Sequence, residues 1–346
     1  MVEKQGFLER KNIVFSVERY LIDALGAMAL GLFASLIVGL ILQTIGEQLT
    51  AVLGENAILN WLINGGKVAQ SMYGPAIGVA VAYGLKAPPL VLFASAITGA
   101  AGVTLGGPAG SFVAAVFGAE FGKLVSKETK VDIIVTPAVT ILAGFLAAGI
   151  IGPAVDSFMK YLGNIIISAT ELRPVPMGII VSVLMGLALT APISSAALAI
   201  MMDLSGLAAG AATVGCSAQM IGFAVSSYRE NGWGGLIAQG VGTSMLQVPN
   251  IVRNPWIIVP PTLASALLGP LATTVFQMTN TPYGAGMGTS GFVGQFGTAS
   301  TMGFTMPVLL KIILLHYLLP AAISLFFSEF LRKIGKIKPG DYDLKL

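Results

Sequence analysis

Residues 254–310 contain no Asp, Glu, Lys or Arg. One bilayer crossing takes about 20 apolar residues, so this 57-residue stretch is longer than a single span. Its middle, NTPYGAGMGTSGFVGQFGTAS from Asn280 to Ser300, is Gly-rich, polar and too irregular to face lipid. Non-helical backbone at membrane depth survives only where protein or a water-filled cavity satisfies its N–H and C=O groups. The segment therefore points to a binding site or pathway, and to a transporter before a structural membrane protein.

Composition supports a membrane class. Hydrophobic residues make up 55% of the chain, charged residues 10%, and the mean hydropathy is +0.84, whereas soluble domains carry about 25% charged residues. The 43 glycines suit membrane helices, in which small residues let backbones approach closely. The net charge of +3 is small and the cations sit beside apolar segments, so no nucleic-acid partner is expected. The single Cys216 can form neither an intrachain disulfide nor a zinc site, and it reads as a small buried hydrophobe.

The expected fold is all-α: a polytopic integral membrane protein of about ten transmembrane helices with re-entrant hairpins and an internal repeat. Residues 1–20 read as an amphipathic interfacial helix with Phe7, Leu8, Ile13, Val14, Phe15 and Val17 toward lipid. Residues 21–330 form the permease domain, and 331–346 a basic cytoplasmic tail. The first span covers about Leu21 to Ile45. Further spans are expected near 66–85, 88–105, 107–125, 132–151, 175–196, 206–228, 256–279 and 304–328. Segments near 191–206 and 233–252 are shorter or broken. Residues 155–173 are amphipathic and read as an interfacial link between halves. Lys4, Arg10, Lys11 and Arg19, then Lys123, Lys127 and Lys130, and finally Arg332, Lys333, Lys336 and Lys338 place both termini in the cytoplasm by the positive-inside rule.

The repeat-like halves cover about 66–154 and 175–279. Ala76 to Ala96 resembles Ile179 to Ala199, each with an Ala-Pro pair, Ala87-Pro88 and Ala191-Pro192. Ile133 to Phe145 resembles Ile257 to Leu268, and Gly152-Pro153 and Gly269-Pro270 follow them. The second half carries extra sequence, Gly240 to Trp256, which reads as a functional insertion.

Candidate site residues follow from polarity at membrane depth. Gln219, Gln247, Asn250, Arg253, Asn280, Thr281, Tyr283 and Gln295 form the expected substrate-binding set. Their amides, hydroxyls and aromatic ring suit a sugar-like solute, and a guanidinium can also hold a carboxylate or phosphate. Asp203 interrupts an uncharged stretch and is the candidate coupling residue. The only histidine, His316, lies in the last apolar span and reads more readily as a packed, hydrogen-bonded residue than as a catalyst. Glu120 and Lys123 read as a surface pair at a helix end. No nucleophile–base pair, paired carboxylates, phosphate loop or metal-ligand spacing occurs, so no cofactor, metal or catalytic residue is expected on this chain.

The runs YGPAIGVAVAYGLKAPPL, GGPAGSFVAAVFGAEFGK, TAPISSAA, PNIVRNPWIIVPP and NTPYGAGMGTSGFVGQ together resemble the stand-alone phosphotransferase-system sugar transporter subunit IIC family, in its perfringolysin-regulator-like group. The resemblance covers about Arg19 to Phe330 as a whole pattern, not through one diagnostic motif. It implies a sugar permease of the bacterial cytoplasmic membrane that works with separate IIA and IIB proteins, which relay phosphate from a His to a Cys. A homodimer is expected as well. Better-known IIC subunits carry a Gly-Ile-Thr-Glu-Pro-like hairpin, and NTPYGAGMG lacks its Glu. The rival readings are an ion-coupled transporter or channel for another solute and a membrane sensor that regulates gene expression.

Overall fold

In the computed structural model, which describes residues 6–344, the chain is helical and divides into two compact units. Unit 1 comprises Met1–Gly39 and Gly65–Met159, and unit 2 comprises Leu40–Asn64 and Lys160–Leu346. The early helices are α1 (Phe7–Arg10), α2 (Glu18–Thr50), α3 (Ala57–Ser71), α4 (Tyr73–Gly84), α5 (Pro89–Val125) and α6 (Asp132–Thr170). They are followed by α7 (Pro174–Thr190), α8 (Ser195–Met201), α9 (Gly206–Ser226), α10 (Tyr228–Ile237) and α11 (Val248–Arg253). The last are α12 (Pro255–Val275), α13 (Pro282–Ala285), α14 (Val293–Met302) and α15 (Met306–Lys333). Among the described residues five helices are long and apolar enough to cross a membrane: α2, Asp132–Val155 of α6, α9, α12 and α15. Pro89–Thr104 and Pro174–Thr190 are shorter apolar helices. The expected 66–85 span is two helices, α3 and α4, which meet at Met72.

Within unit 1, α5 is a hairpin of two helices. Gly106 and Gly107 leave the helical conformation, Gly107 with φ of 56°, a conformation open to glycine without a Cβ penalty. Ser111 Oγ donates to Gly99 O at 2.7 Å. Twelve residues of straight helix would separate these positions by about 18 Å, so the second limb must fold back on the first. A Cβ at Gly102 would lie 2.3 Å from Gly110 O, and only glycine permits limbs this close. The first limb packs in turn on α4, where a Cβ at Gly78 would meet Ser95 O at 2.0 Å.

The N-terminal expectation needs correction. Lys4 lies outside the described residues. From residue 6 onward there is no single amphipathic helix: α1 ends at Arg10, Asn12 takes φ of 55°, and helix resumes at Glu18. Phe7, Leu8, Val14, Phe15 and Val17 are exposed, but Ile13 is buried. The cause is an internal anchor. Arg19 and Lys123 both donate to Asn12 O, at 3.1 and 3.0 Å, and both donate to Leu85 O, the carbonyl of the residue that ends α4. Helix ends leave such carbonyls without intrahelical partners, and two cations satisfy this one. Lys123 pairs with Glu120 at 2.9 Å. The pair expected at the surface is therefore buried, with Lys123 1% and Glu120 9% exposed.

Residues 155–170 likewise continue α6 instead of forming a separate link. Pro153 forfeits one backbone hydrogen bond, but the helix resumes beyond it. The two Ala-Pro pairs both fall at helix breaks. α4 ends at Gly84 and α5 starts at Pro89; α7 ends at Thr190 and α8 starts at Ser195. Proline pushes its preceding residue toward extended backbone, and Ala191 is extended, with ψ of 161°.

Within unit 2, α9 is the central helix. A Cβ at Gly215 of α9 would lie 2.0 Å from Ser182 O of α7, and one at Gly178 of α7 would lie 2.7 Å from Gly269 O of α12. Ser182 Oγ donates to Ser265 O at 2.8 Å, and Ser265 Oγ donates to Gly215 O at 3.1 Å. Three helices are thus joined by glycine contacts and serine hydrogen bonds at one level.

Candidate functional site

The charge-free stretch resolves into α12, an irregular crossing at 277–281 that starts at Gln277 with φ of 49°, a Gly-rich turn, α14 and the start of α15. The segment expected to be irregular throughout is regular from Val293 onward, after Phe292, which takes φ of 61°. Asn280 organises the crossing. Its Nδ2 lies within hydrogen-bond distance of Thr213 Oγ1 (2.7 Å), Gly294 O (2.9 Å) and Thr298 Oγ1 (3.2 Å), and its Oδ1 accepts from Thr281 N at 2.7 Å. Two amide hydrogens already face three acceptors, so this side chain is fully engaged within the fold. Glycine surrounds it because a Cβ at Gly284 or Gly297 would approach Asn280 Oδ1 to 2.3 or 2.2 Å.

The other expected site residues fall into separate places. Gln219 is buried and donates to Thr262 Oγ1 at 3.0 Å. Thr190 Oγ1 donates to Gln219 Oε1 at 3.3 Å and shares a 2.8 Å hydrogen bond with Ser244 Oγ. Gln247 and Asn250 belong to a different group, a ladder of amides. Gln239 donates to Ser227 Oγ (2.8 Å), Gln247 to Gln239 (2.9 Å) and Asn250 to Gln247 (2.8 Å). Arg253, itself exposed, donates to Asn250 at 3.3 Å. Gln247 and Asn250 also donate to carbonyls of the C-terminal segment, Tyr342 O at 3.0 Å and Asp343 O at 2.9 Å. Thr281 caps α13 by accepting from Gly284 N, and the Tyr283 side chain is 69% exposed. Asp203 sits with φ of 48° in the exposed turn between α8 and α9.

Gln295 alone of the expected set leads to polar atoms that the fold leaves open. Its Nε2 lies 3.1 Å from Nδ1 of His316. Gln295 Oε1, His316 Nε2, Ser217 Oγ and Ser290 Oγ have no hydrogen-bond partner, although each residue is more than nine-tenths buried. With the Gln295 amide donating, His316 Nδ1 accepts and a neutral ring carries its proton on Nε2. The four open atoms then comprise a donor, an acceptor and two hydroxyls that can act either way.

Close packing brings their elements together. A Cβ at Gly288 would lie 2.8 Å from Ser217 N of α9, and one at Gly294 would lie 2.2 Å from Gly288 O. Val214 of α9, Ala299 of α14 and Leu315 of α15 share one hydrophobic cluster. Thr289 Oγ1 donates to Gly240 O and ties the turn to residues 238–242. Ser217 and His316 thus lie in α9 and α15, helices of membrane-spanning length, whereas Ser290 lies in the Gly-rich turn and Gln295 in the ten-residue α14. From sequence His316 stands alone, and nothing local joins it to Ser290 or Ser217. The available signal was one: polar residues at 217, 290, 295 and 316 inside apolar or Gly-rich runs.

Cys216, beside Ser217, is fully buried and its Sγ donates to Met185 O at 3.3 Å. A thiol so enclosed cannot receive a phosphoryl group from a docking protein. Among the described residues no three His, Cys, Asp or Glu side chains come together as a metal site.

Long apolar helices, glycine-mediated packing and buried polar side chains define a polytopic α-helical membrane protein. The chain belongs to the phosphotransferase system EIIC family, whose family model matches residues 22–344. Membership makes it a multi-pass protein of a membrane transporter family. No curated protein and no solved structure matches the chain.

Proposed function

We propose that this chain is the membrane permease of an EIIC-type system and that it carries a sugar or a similar small polar solute. The observation that carries this reading is the set of four buried, unpartnered polar atoms beside the Gly-rich turn. Leaving a polar atom buried and unpaired costs about 1–3 kcal/mol. Groups left open in this way at membrane depth are usually functional, and a solute bearing hydroxyls, or water in its absence, would satisfy them. Glycines at 288 and 294 let the turn pack directly on Ser217 of α9, where a side chain would not fit.

In this reading Gln295, His316, Ser217 and Ser290 contact the solute. Asn280, Thr281 and Gln219 hold the elements that carry them. Gln247, Asn250 and Arg253 serve the insertion and the tail, and Tyr283 flanks the turn. No phosphoryl transfer is assigned to this chain, and any would fall to separate IIA and IIB proteins. A homodimer and cytoplasmic termini belong to the same proposal, the latter supported by the basic clusters. Asp203, exposed in its turn, offers little support for ion coupling.

The test is a thermal-stability screen of purified protein against sugars, polyols, sugar acids, nucleosides and carboxylates, since a ligand bound only by the folded state raises stability by mass action. Sugars or polyols should give a concentration-dependent shift. Gln295→Ala and His316→Ala should each weaken that ligand by roughly tenfold or more, about 1.4 kcal/mol. Wild-type affinity in both variants would remove the site assignment, and a shift confined to carboxylates would remove the sugar-like class.

A further inference from the structure

Residues 331–346 read from sequence as a basic cytoplasmic tail; in the structure residues 336–344 are docked. α15 runs on to Lys333, and Gly335 (φ 72°) and Gly340 (φ 92°) let the following residues turn back. Asp341 Oδ2 accepts from Lys338 N at 2.7 Å and closes the turn between them. Tyr342 then enters a pocket where it is fully buried, packed with Phe223, Ile257, Leu331 and Ile337. Its ring meets Phe223 edge-on at 6.3 Å, and the Arg332 guanidinium lies 5.3 Å from its centre.

Around this anchor the binding is mostly to main chain, with one side-chain contact from Asn254 Nδ2 to Asp341 Oδ2 at 2.7 Å. Asn231 reads two positions at once: Nδ2 donates to Tyr342 O at 2.8 Å and Oδ1 accepts from Leu344 N at 2.9 Å. Gln247 donates to Tyr342 O, Asn250 to Asp343 O, and Asn254 to Lys336 O, the last at 2.9 Å. Four side-chain amides from residues 231–254 thus grip a peptide folded into successive turns, in a groove with one aromatic pocket. The strap lies in neither helix nor sheet, so side chains and one buried ring hold it. The amides it engages continue through Gln247 and Gln239 to Ser227, so its docking bears on the whole segment 227–254.

We propose that residues 336–344 are a detachable latch. Docked, the strap fixes the segment that joins α9 to α12; released, it leaves that segment loose and opens a groove shaped for a turn-forming peptide carrying one tyrosine. The natural occupant of the groove is the chain's own C-terminus. This inference stands apart from the solute reading, because its test uses no solute.

A protease site placed between Gly335 and Lys336 would be cut after the full chain has been purified, so that folding precedes release. Washing should then remove the strap, and amide exchange over 228–254 should quicken roughly tenfold or more while α7 and α9 keep their protection. A synthetic peptide of residues 336–344 should restore the slow rate, and the same peptide with Tyr342→Ala should not. Three outcomes would overturn the latch: a cut strap that stays bound through washing, a strap that leaves with exchange unchanged, and loss of protection throughout the protein.

Discussion

Asn280 and Ser217 show how residues of similar polarity take opposite roles. Asn280 is surrounded by acceptors, so removing its amide leaves Thr213, Gly294 and Thr298 without their donor. Asn280→Ala should lower stability by about 2–4 kcal/mol, the sum of lost hydrogen bonds and newly unpaired groups, read as a fall in the thermal midpoint of the ligand-free protein. Ser217 has no partner for its hydroxyl. Ser217→Ala should therefore leave the ligand-free midpoint unchanged or slightly higher and weaken solute binding. A ligand-free loss as large as that of Asn280→Ala would mean that the hydroxyl has a structural partner. The sequence placed both residues in polar, Gly-rich or apolar surroundings but gave no sign of which was already engaged. That depends on acceptors 67 residues away in Thr213 and 14 away in Gly294.

Elements in unit 2 are spaced by glycine. At Gly215 an added methyl would fall 2.0 Å from the Ser182 carbonyl, a backbone group in the middle of a neighbouring helix that cannot move aside cheaply. Gly215→Ala should push α7 and α9 apart and cost about 1–3 kcal/mol, the usual range for overpacking. Gly149, in α6 with nothing within 4 Å of an added Cβ, is the control. There Gly149→Ala should be neutral or stabilise by up to about 1 kcal/mol, because alanine is the better helix former. Equal effects at both positions, measured by thermal or denaturant unfolding, would count against the packing account. Both glycines sit in apolar helical sequence, and nothing local separates a glycine at a contact from one on an open face.

Across the whole molecule the C-terminus is the least expected part. Burial pushes the Tyr342 hydroxyl up to about 12 from the usual 10, because the phenolate would lose its hydration. Its contribution to stability is complete below pH 10, where both folded and unfolded chains keep the proton. It is lost as pH rises through 10 to 12, since the unfolded chain ionises first. That window corresponds to roughly 2–3 kcal/mol at 1.36 kcal/mol per unit. Midpoint measurements across this range should show a fall in the wild type that is reduced in Tyr342→Phe, which keeps the ring but loses the 3.3 Å contact to Ser328. Parallel curves for the two proteins would mean that the hydroxyl is not the group responsible.

The sequence by itself determined the membrane class, the approximate position of the apolar helices, the breaks at Ala87-Pro88 and Ala191-Pro192, and the family. These follow from local properties: runs of apolar residues, proline's missing N–H, and a pattern spread over most of the chain. Tertiary structure alone decided which polar atoms are engaged and which are open. It buried the Glu120–Lys123 pair, assigned Gln247 and Asn250 to the C-terminal strap, and joined Gln295 to His316. The physical reason is common to all of these. A hydrogen bond or glycine contact joins groups a few ångströms apart in space but tens of residues apart in sequence, so amide, hydroxyl and glycine positions reveal their partners only once the helices have packed.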